Sequence, residues 1–296
     1  MRWLFRFTNG ISAKKWNFMK NFVAAFDGLK YSHSAQQYAI DLAKLCDAQL
    51  TGIFLSEPTY TSHTISELLT EQGVSEQKLI DLWEKDEKTR ESAVEKFRNA
   101  CEKEGLVYSI KLFQSEAIDQ LKRQSIYSDL IIIDAQETLT HYPEKLPTRF
   151  MVDLLTNLQC PILIVPITYK SIKKIILLYD GEPSAVYAIK IFSYLVGDLN
   201  QVETEVVSVV PSNIALVAAE PKDMEAFIAI HYPKMVYKLQ QGKPATEIIK
   251  YLNQQDKHAM IVLGAYGRGP VSRWFRKSMA DILMNEVQMP LFIARN

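Results

Sequence analysis

The sequence repeats itself. An apolar run ending in Asp-Gly, from Asn21 to Gly28, leads through Ser34-Ala35 into a helical pattern that reaches Cys46. The run from Lys174 to Gly181 ends the same way and leads through Ser184-Ala185 into a helical pattern that reaches about Val196. Farther on, Asp129–Asp134 parallels Ala259–Gly264, and Cys160-Pro161 before Ile162–Val165 parallels Met289-Pro290 before Leu291–Ala294. Self-similarity at a long period means one supersecondary arrangement built twice, which removes most other topologies at once. The offsets also locate the difference between the copies. Asp27 and Asp180 lie 153 residues apart but Asp134 and Gly264 only 130, so the second copy is 23 residues shorter in its middle. The first copy uses that length for Ser75–Glu104, where Leu79, Leu82, Trp83, Val94, Phe97 and Cys101 recur at helical spacing. The second has a short helix near Lys222–Ile230.

Within each copy, apolar runs alternate with helical patterns. The runs are continuous rather than alternating, as in a parallel sheet covered on both faces. Strands are expected near 21–26, 49–55, 107–113, 129–134 and 162–165, and again near 173–179, 203–210, 234–240, 259–263 and 290–295. The chain then divides into a basic extension (1–18), a first domain (19–168) and a second domain (169–296). The joining segment, 167–173, is too short for a free linker, so the domains should pack together.

The 296 residues carry 34 Lys+Arg and 34 Asp+Glu, with no basic excess to suit a nucleic-acid or membrane-surface binder. No nucleic acid and no membrane are expected as partners. Cys46, Cys101 and Cys160 lack metal or disulfide spacing, and the five histidines never fall three to five apart, so no metal site is expected. A reducing cytoplasm fits this cysteine usage. The first nineteen residues hold Arg2, Arg6, Lys14 and Lys15 and no acid. Arg6 breaks their apolar cluster, which is too short for a signal peptide. A start of translation at Met19 is expected; a basic amphipathic surface segment is the alternative.

The chemistry concentrates in Gly264–Asp281. Gly264 and Gly267 let the backbone turn tightly enough for amide groups to converge on an anion. Ser278 and Asp281 form a capping box, so a helix N-terminus, favourable to phosphate, should begin there. Between Gly264 and Ser278 lie Arg268, Arg273, Arg276 and Lys277 and no acid.

On these residues the chain resembles the universal stress protein family. Its nucleotide-binding members carry G-x-x-G, nine residues, then G-[ST] after the fourth strand. Gly264 and Gly267 match the first pair, Arg268 to Arg276 are the nine, Ser278 matches the hydroxyl position, and Lys277 stands in place of the third glycine. Asp180 and Asp27 match the aspartate ending the first strand. The resemblance covers Met19 to Asn296. It implies, in each domain, an open Rossmann-like five-stranded parallel sheet of order 3-2-1-4-5 with helices on both faces. It also implies pairing through the fifth strands, Ile162–Val165 with Leu291–Ala294, as an internal pseudo-dimer.

The order 3-2-1-4-5 reverses between strands one and four, and ligands of open α/β sheets bind beside such a reversal. The expected nucleotide site is therefore Asp180, Gly181, Gly264, Gly267, Arg268, Lys277 and Ser278, with ATP as ligand in the second domain only. In the first domain Asp134 and Glu137 replace the two glycines, Pro147 and Thr148 replace Lys277 and Ser278, and the carboxylates would repel a phosphate. Asp27 is left a local role, an Asx turn with Gly28. No P-loop, nucleophile elbow or zincin motif is present, so no catalytic residue is assigned and slow ATP hydrolysis is the most the chain should support. Trp83, Phe97 and Tyr108 are expected in the core, and Glu84–Glu91 as a solvated helix face. The expected function is a stress-response regulator that binds an adenine nucleotide and an unknown protein partner. The alternative is a ligand-free scaffolding protein of the same fold. Homodimerisation through another surface stays open, and a weaker option is an acyl group in an apolar crevice of the first domain.

Overall fold

A computed structural model of the chain describes residues 20–56, 76–114, 116–140, 142–197, 199, 202–210, 212, 222–264 and 279–295. The first half runs β1 (Asn21–Asp27), α1 (His33–Leu45), β2 (Gln49–Leu55), α2 (Glu76–Lys103), β3 (Tyr108–Phe113), α3 (Ala117–Ser125), β4 (Leu130–Asp134), α4 (Arg149–Asn157) and β5 (Ile162–Val165). The second half runs β6 (Lys174–Leu178), α5 (Pro183–Leu195), β7 (Glu203–Val210), α6 (Lys222–His231), β8 (Val236–Gln241), α7 (Pro244–Asn253), β9 (Ala259–Gly264), α8 (Met279–Glu286) and β10 (Leu291–Ala294).

All ten strands join one sheet in the order β3-β2-β1-β4-β5-β10-β9-β6-β7-β8. Each half is parallel and has the order 3-2-1-4-5, as the resemblance implied. The halves meet where β5 and β10 pair antiparallel, with Leu163 opposite Phe292. This is the internal pseudo-dimer.

The strands are apolar on both faces because both faces are covered. Along β1, Phe22, Ala24 and Phe26 enter one core while Val23 and Ala25 enter the other. The first core takes α1, α2, α5 and α6 through Tyr38, Phe97, Phe192 and Ile228; the second takes α3, α4, α7 and α8 through Leu121, Leu154, Leu252 and Leu283. Both cores cross the seam. Leu163 and Val165 of β5 share the first core with Phe292 and Ala294 of β10. Gly52 of β2 explains where α2 docks, since a Cβ there would lie 2.5 Å from the Phe97 ring. Helix starts are locally specified. Ser32 caps α1 by accepting the Ala35 amide at 3.1 Å, Thr148 caps α4 on Met151 at 3.1 Å, and Pro183 and Pro244 open α5 and α7.

The joining segment is held to both halves. The Ser34 hydroxyl donates to the Pro166 carbonyl, the Lys170 amide donates to the Tyr38 hydroxyl at 3.2 Å, Tyr169 donates to Asp41, and the Lys173 amide donates to the His258 carbonyl at 2.8 Å.

The long helix corrects two expectations. Phe97 is fully buried and Tyr108 half-buried, but Trp83 is 62% exposed. Conversely Asp86, within the expected solvated face, is buried. At 1.5 Å per residue, 28 residues make a helix of about 42 Å, whereas a seven-residue strand spans about 23 Å. The C-terminal half of α2 packs on the sheet through Ala93, Phe97 and Cys101, and the half carrying Trp83 runs past it.

Candidate functional site

The reversal of strand order falls between β1 and β4 in the first half and between β6 and β9 in the second. Asp180 follows β6 and Gly264 ends β9, so they meet at the carboxyl ends of neighbouring strands. The Asp180 carboxylate accepts the Glu182 amide at 3.0 Å, an Asx turn across Gly181, whose φ of 85° is open to glycine at little cost. Gly264 is needed for packing. A Cβ there would lie 2.3 Å from the Ser184 carbonyl oxygen in the first turn of α5. The reason is a shorter turn: Ser184 follows Asp180 by four residues, whereas Ser34 follows Asp27 by seven. The structure thus brings Asp180, Gly181 and Gly264 together. Gly267, Arg268, Lys277 and Ser278 lie outside the described residues, as does the Ser278 half of the capping box. Asp281 stands in the first turn of α8.

The equivalent place in the first half is filled by acids. The Asp27 carboxylate accepts the Leu29 amide at 2.7 Å, the Asx turn expected of it. Asp134 accepts the Ser32 hydroxyl at 2.6 Å and the Gln136 amide at 2.9 Å. Glu137 folds back on its own loop and accepts the amides of Thr138 and Leu139, each at 3.0 Å. Leu139 has a φ of 50°, so this carboxyl fastens a strained turn. The Glu137 carbonyl in turn accepts the Thr148 hydroxyl at 2.6 Å, which ties the loop to the cap of α4. All three acids are buried. Burial first, then the charges of Asp27 and Asp134, push the Glu137 carboxyl up to about 8; the two amides oppose the shift without cancelling it. The group therefore holds its proton well above the ordinary carboxylate range. Loop amides that could have faced an anion are taken by a side chain of the loop itself.

Sequence reasoning placed Asp134 and Glu137 correctly as a pair but did not add Asp27 to them. The signal was available: an aspartate at the end of strand one and another at the end of strand four become neighbours once the order is 3-2-1-4-5. A further feature of the first half is a crevice along α2. Its walls carry Lys85, Lys88, Lys96 and His33.

Comparison with solved structures identifies the fold. A universal stress protein from Archaeoglobus fulgidus DSM 4304 superposes with a TM-score of 0.65 at 14% identity, over 93% of this chain and 98% of that one. A putative universal stress protein from Pseudomonas aeruginosa UCBPP-PA14 gives 0.61 at 14% identity, over 93% of each chain. A functionally unknown protein from Pseudomonas aeruginosa PAO1 gives 0.58 at 13% identity, over 93% of this chain and 92% of that one. No family model and no curated protein matches the sequence. The chain has the fold of the full-length universal stress proteins, both halves included.

Proposed function

We propose that the chain is a universal stress protein of the cytoplasm. In this reading it is a stress-response regulator that binds an adenine nucleotide, ATP, in its second domain and passes its state to a protein partner. The domains are taken as 19–168 and 169–296. Asp180, Gly181 and Gly264 would form the floor and wall of the site, and Gly267, Arg268, Lys277 and Ser278 the phosphate side. One observation carries the proposal: at the strand-order reversal the second half presents one aspartate and a glycine where the first half buries three carboxyls. At that reversal, charge then favours a polyanion in the second half over the first. Among the described residues no nucleophile–base pair stands there, so the reading is one of binding, with slow ATP hydrolysis at most.

A ligand-free scaffold of the same fold is the second reading, and Gly264 favours it, because helix packing accounts for that glycine without any nucleotide. Two measurements separate the readings. The protein is purified without added ligand, denatured, and its supernatant analysed for nucleotides by mass spectrometry. Melting temperature is then followed as ATP is added. A stoichiometric adenine nucleotide, or an ATP-dependent rise that Gly267→Asp abolishes, supports the regulator. An empty supernatant with no rise supports the scaffold and makes Lys277 the cause of the loss.

A further inference from the structure

The geometry points to a second anion site, in the first half, for a compact small molecule bearing several phosphate charges. A cavity of 630 Å³ opens between the β1–α1 turn and α2. This is within the size range of small-molecule sites, about 300–1,000 Å³. One wall is the turn, with Gly28, Leu29, Tyr31 and His33. The other is a single stripe of α2, with Asp81, Lys85, Lys88, Thr89, Ser92 and Lys96 at intervals of one to four residues. Among the described residues the walls carry three lysines against one aspartate, in a chain whose formal charge is zero.

These lysines are available. Lys85 and Lys96 have no ion-pair partner among the described residues. Lys88 has only Glu84 at 3.7 Å, an exposed pair that a multivalent anion can displace at little cost. Lysine serves as a point charge for phosphate, and Ser92 adds a hydroxyl to the same wall, whereas the Thr89 hydroxyl already donates to the Lys85 carbonyl at 2.8 Å. The floor is fixed. Tyr31 stacks on Phe26 with ring centroids 4.9 Å apart and on Phe54 at 6.3 Å, and its hydroxyl donates to Gln36. The walls close on each other at Gly28, where a Cβ would meet the Arg90 side chain at 3.0 Å.

The overhang of α2 creates this cavity. The helix outruns the sheet, and the lysines lie on and beside its projecting half, past the carboxyl end of β1. The site is distinct from the loop after β4. There the buried Asp27 and Asp134 would repel the same ligand, so the turn separates a cationic side from an acidic one.

Calorimetric titration of the full-length protein with inorganic tripolyphosphate at low salt tests the site. It is run in the wild type and in a Gly267→Asp background, which removes the loop proposed for the second half. A saturable event with one site per chain is expected to survive Gly267→Asp. It should weaken about tenfold or more in Lys85→Glu/Lys96→Glu, as loss of charged hydrogen-bond donors implies. Lys122→Glu, on the opposite face of the sheet, should leave it unchanged. Absence of saturable heat in the Gly267→Asp protein overturns the proposal, as does binding indifferent to the double substitution. Equal weakening by Lys122→Glu also overturns it, since only diffuse attraction would then be at work. None of these outcomes bears on ATP in the second half, which the Gly267→Asp comparison with ATP reads separately.

Discussion

Replacing Glu137 by Gln should change how the protein's stability depends on pH. Glu137 is 7% exposed, faces Asp27 and Asp134, and has its carboxyl pushed up to about 8, while the unfolded chain would lose that proton near 4.5. The charged groups acting on it come from β1 (Asp27) and β4 (Asp134). A folded-state pKa above the unfolded one means that the folded protein holds the proton more tightly. The resulting stabilisation is complete below the unfolded value and is lost as pH rises through the folded one. The slope is at most about 1.4 kcal/mol per pH unit, so raising the pH from 5.5 to 7.5 should cost roughly 2–3 kcal/mol. At about 2–4 °C per kcal/mol for a fold unit of this size, the melting temperature should fall by roughly 4–12 °C. Glutamine keeps the carbonyl acceptor for the Thr138 and Leu139 amides and has no proton to lose. Its melting temperature should therefore stay nearly flat over the same interval and overtake the wild type on the alkaline side. Thermal unfolding followed by circular dichroism at four pH values from 5.5 to 8.5 is sufficient. Parallel profiles for the two proteins would refute the reasoning, because the proton would then not belong to this cluster of acids.

Two further outcomes follow from packing. Gly264→Ala should destabilise the second half by about 1–3 kcal/mol, because its methyl group meets the backbone of Ser184 rather than a flexible side chain; an unchanged melting temperature would mean that α5 can retreat freely. A chain ending at residue 168 exposes the buried apolar strand Ile162–Val165 as an edge, and should dimerise through it in light scattering; a stable monomer would show that the seam is dispensable.

The sheet was legible because its strands are continuous apolar runs closed by turn residues. The run ending in Asp27-Gly28 became Asn21–Asp27, and the run after Pro290 became Leu291–Ala294. The largest slip in a strand start was at β8, expected at 234 and found at Val236, on an outer edge where half-buried residues blur the apolar signal. Trp83 was misplaced for another reason. Helical periodicity identifies a face but not how far the neighbouring sheet extends beneath it. The crowding at Gly264 was illegible too, since it depends on a turn shortened by three residues and on the backbone of a helix 80 positions earlier. At the candidate site, residue types disclosed the contrast between acids and glycines. The Glu137 contacts with its own loop depend on a conformation that spacing does not specify.

The antiparallel pairing of β5 with β10 has a consequence for how such a molecule can vary. In a symmetric dimer of identical subunits, any substitution appears on both sides of the two-fold axis. An aspartate in place of the glycine that ends the fourth strand would then alter both crevices together. Here the axis runs through a single polypeptide, and each side is encoded separately. Asp134 could appear opposite Gly264, a step of seven residues from aspartate to helix serine opposite a step of four, and a 28-residue helix opposite a 10-residue one, without any of these changes being imposed on its counterpart. Fusion has kept the two-fold architecture and released the chemistry from it, so ligand stoichiometry need not follow the number of folds.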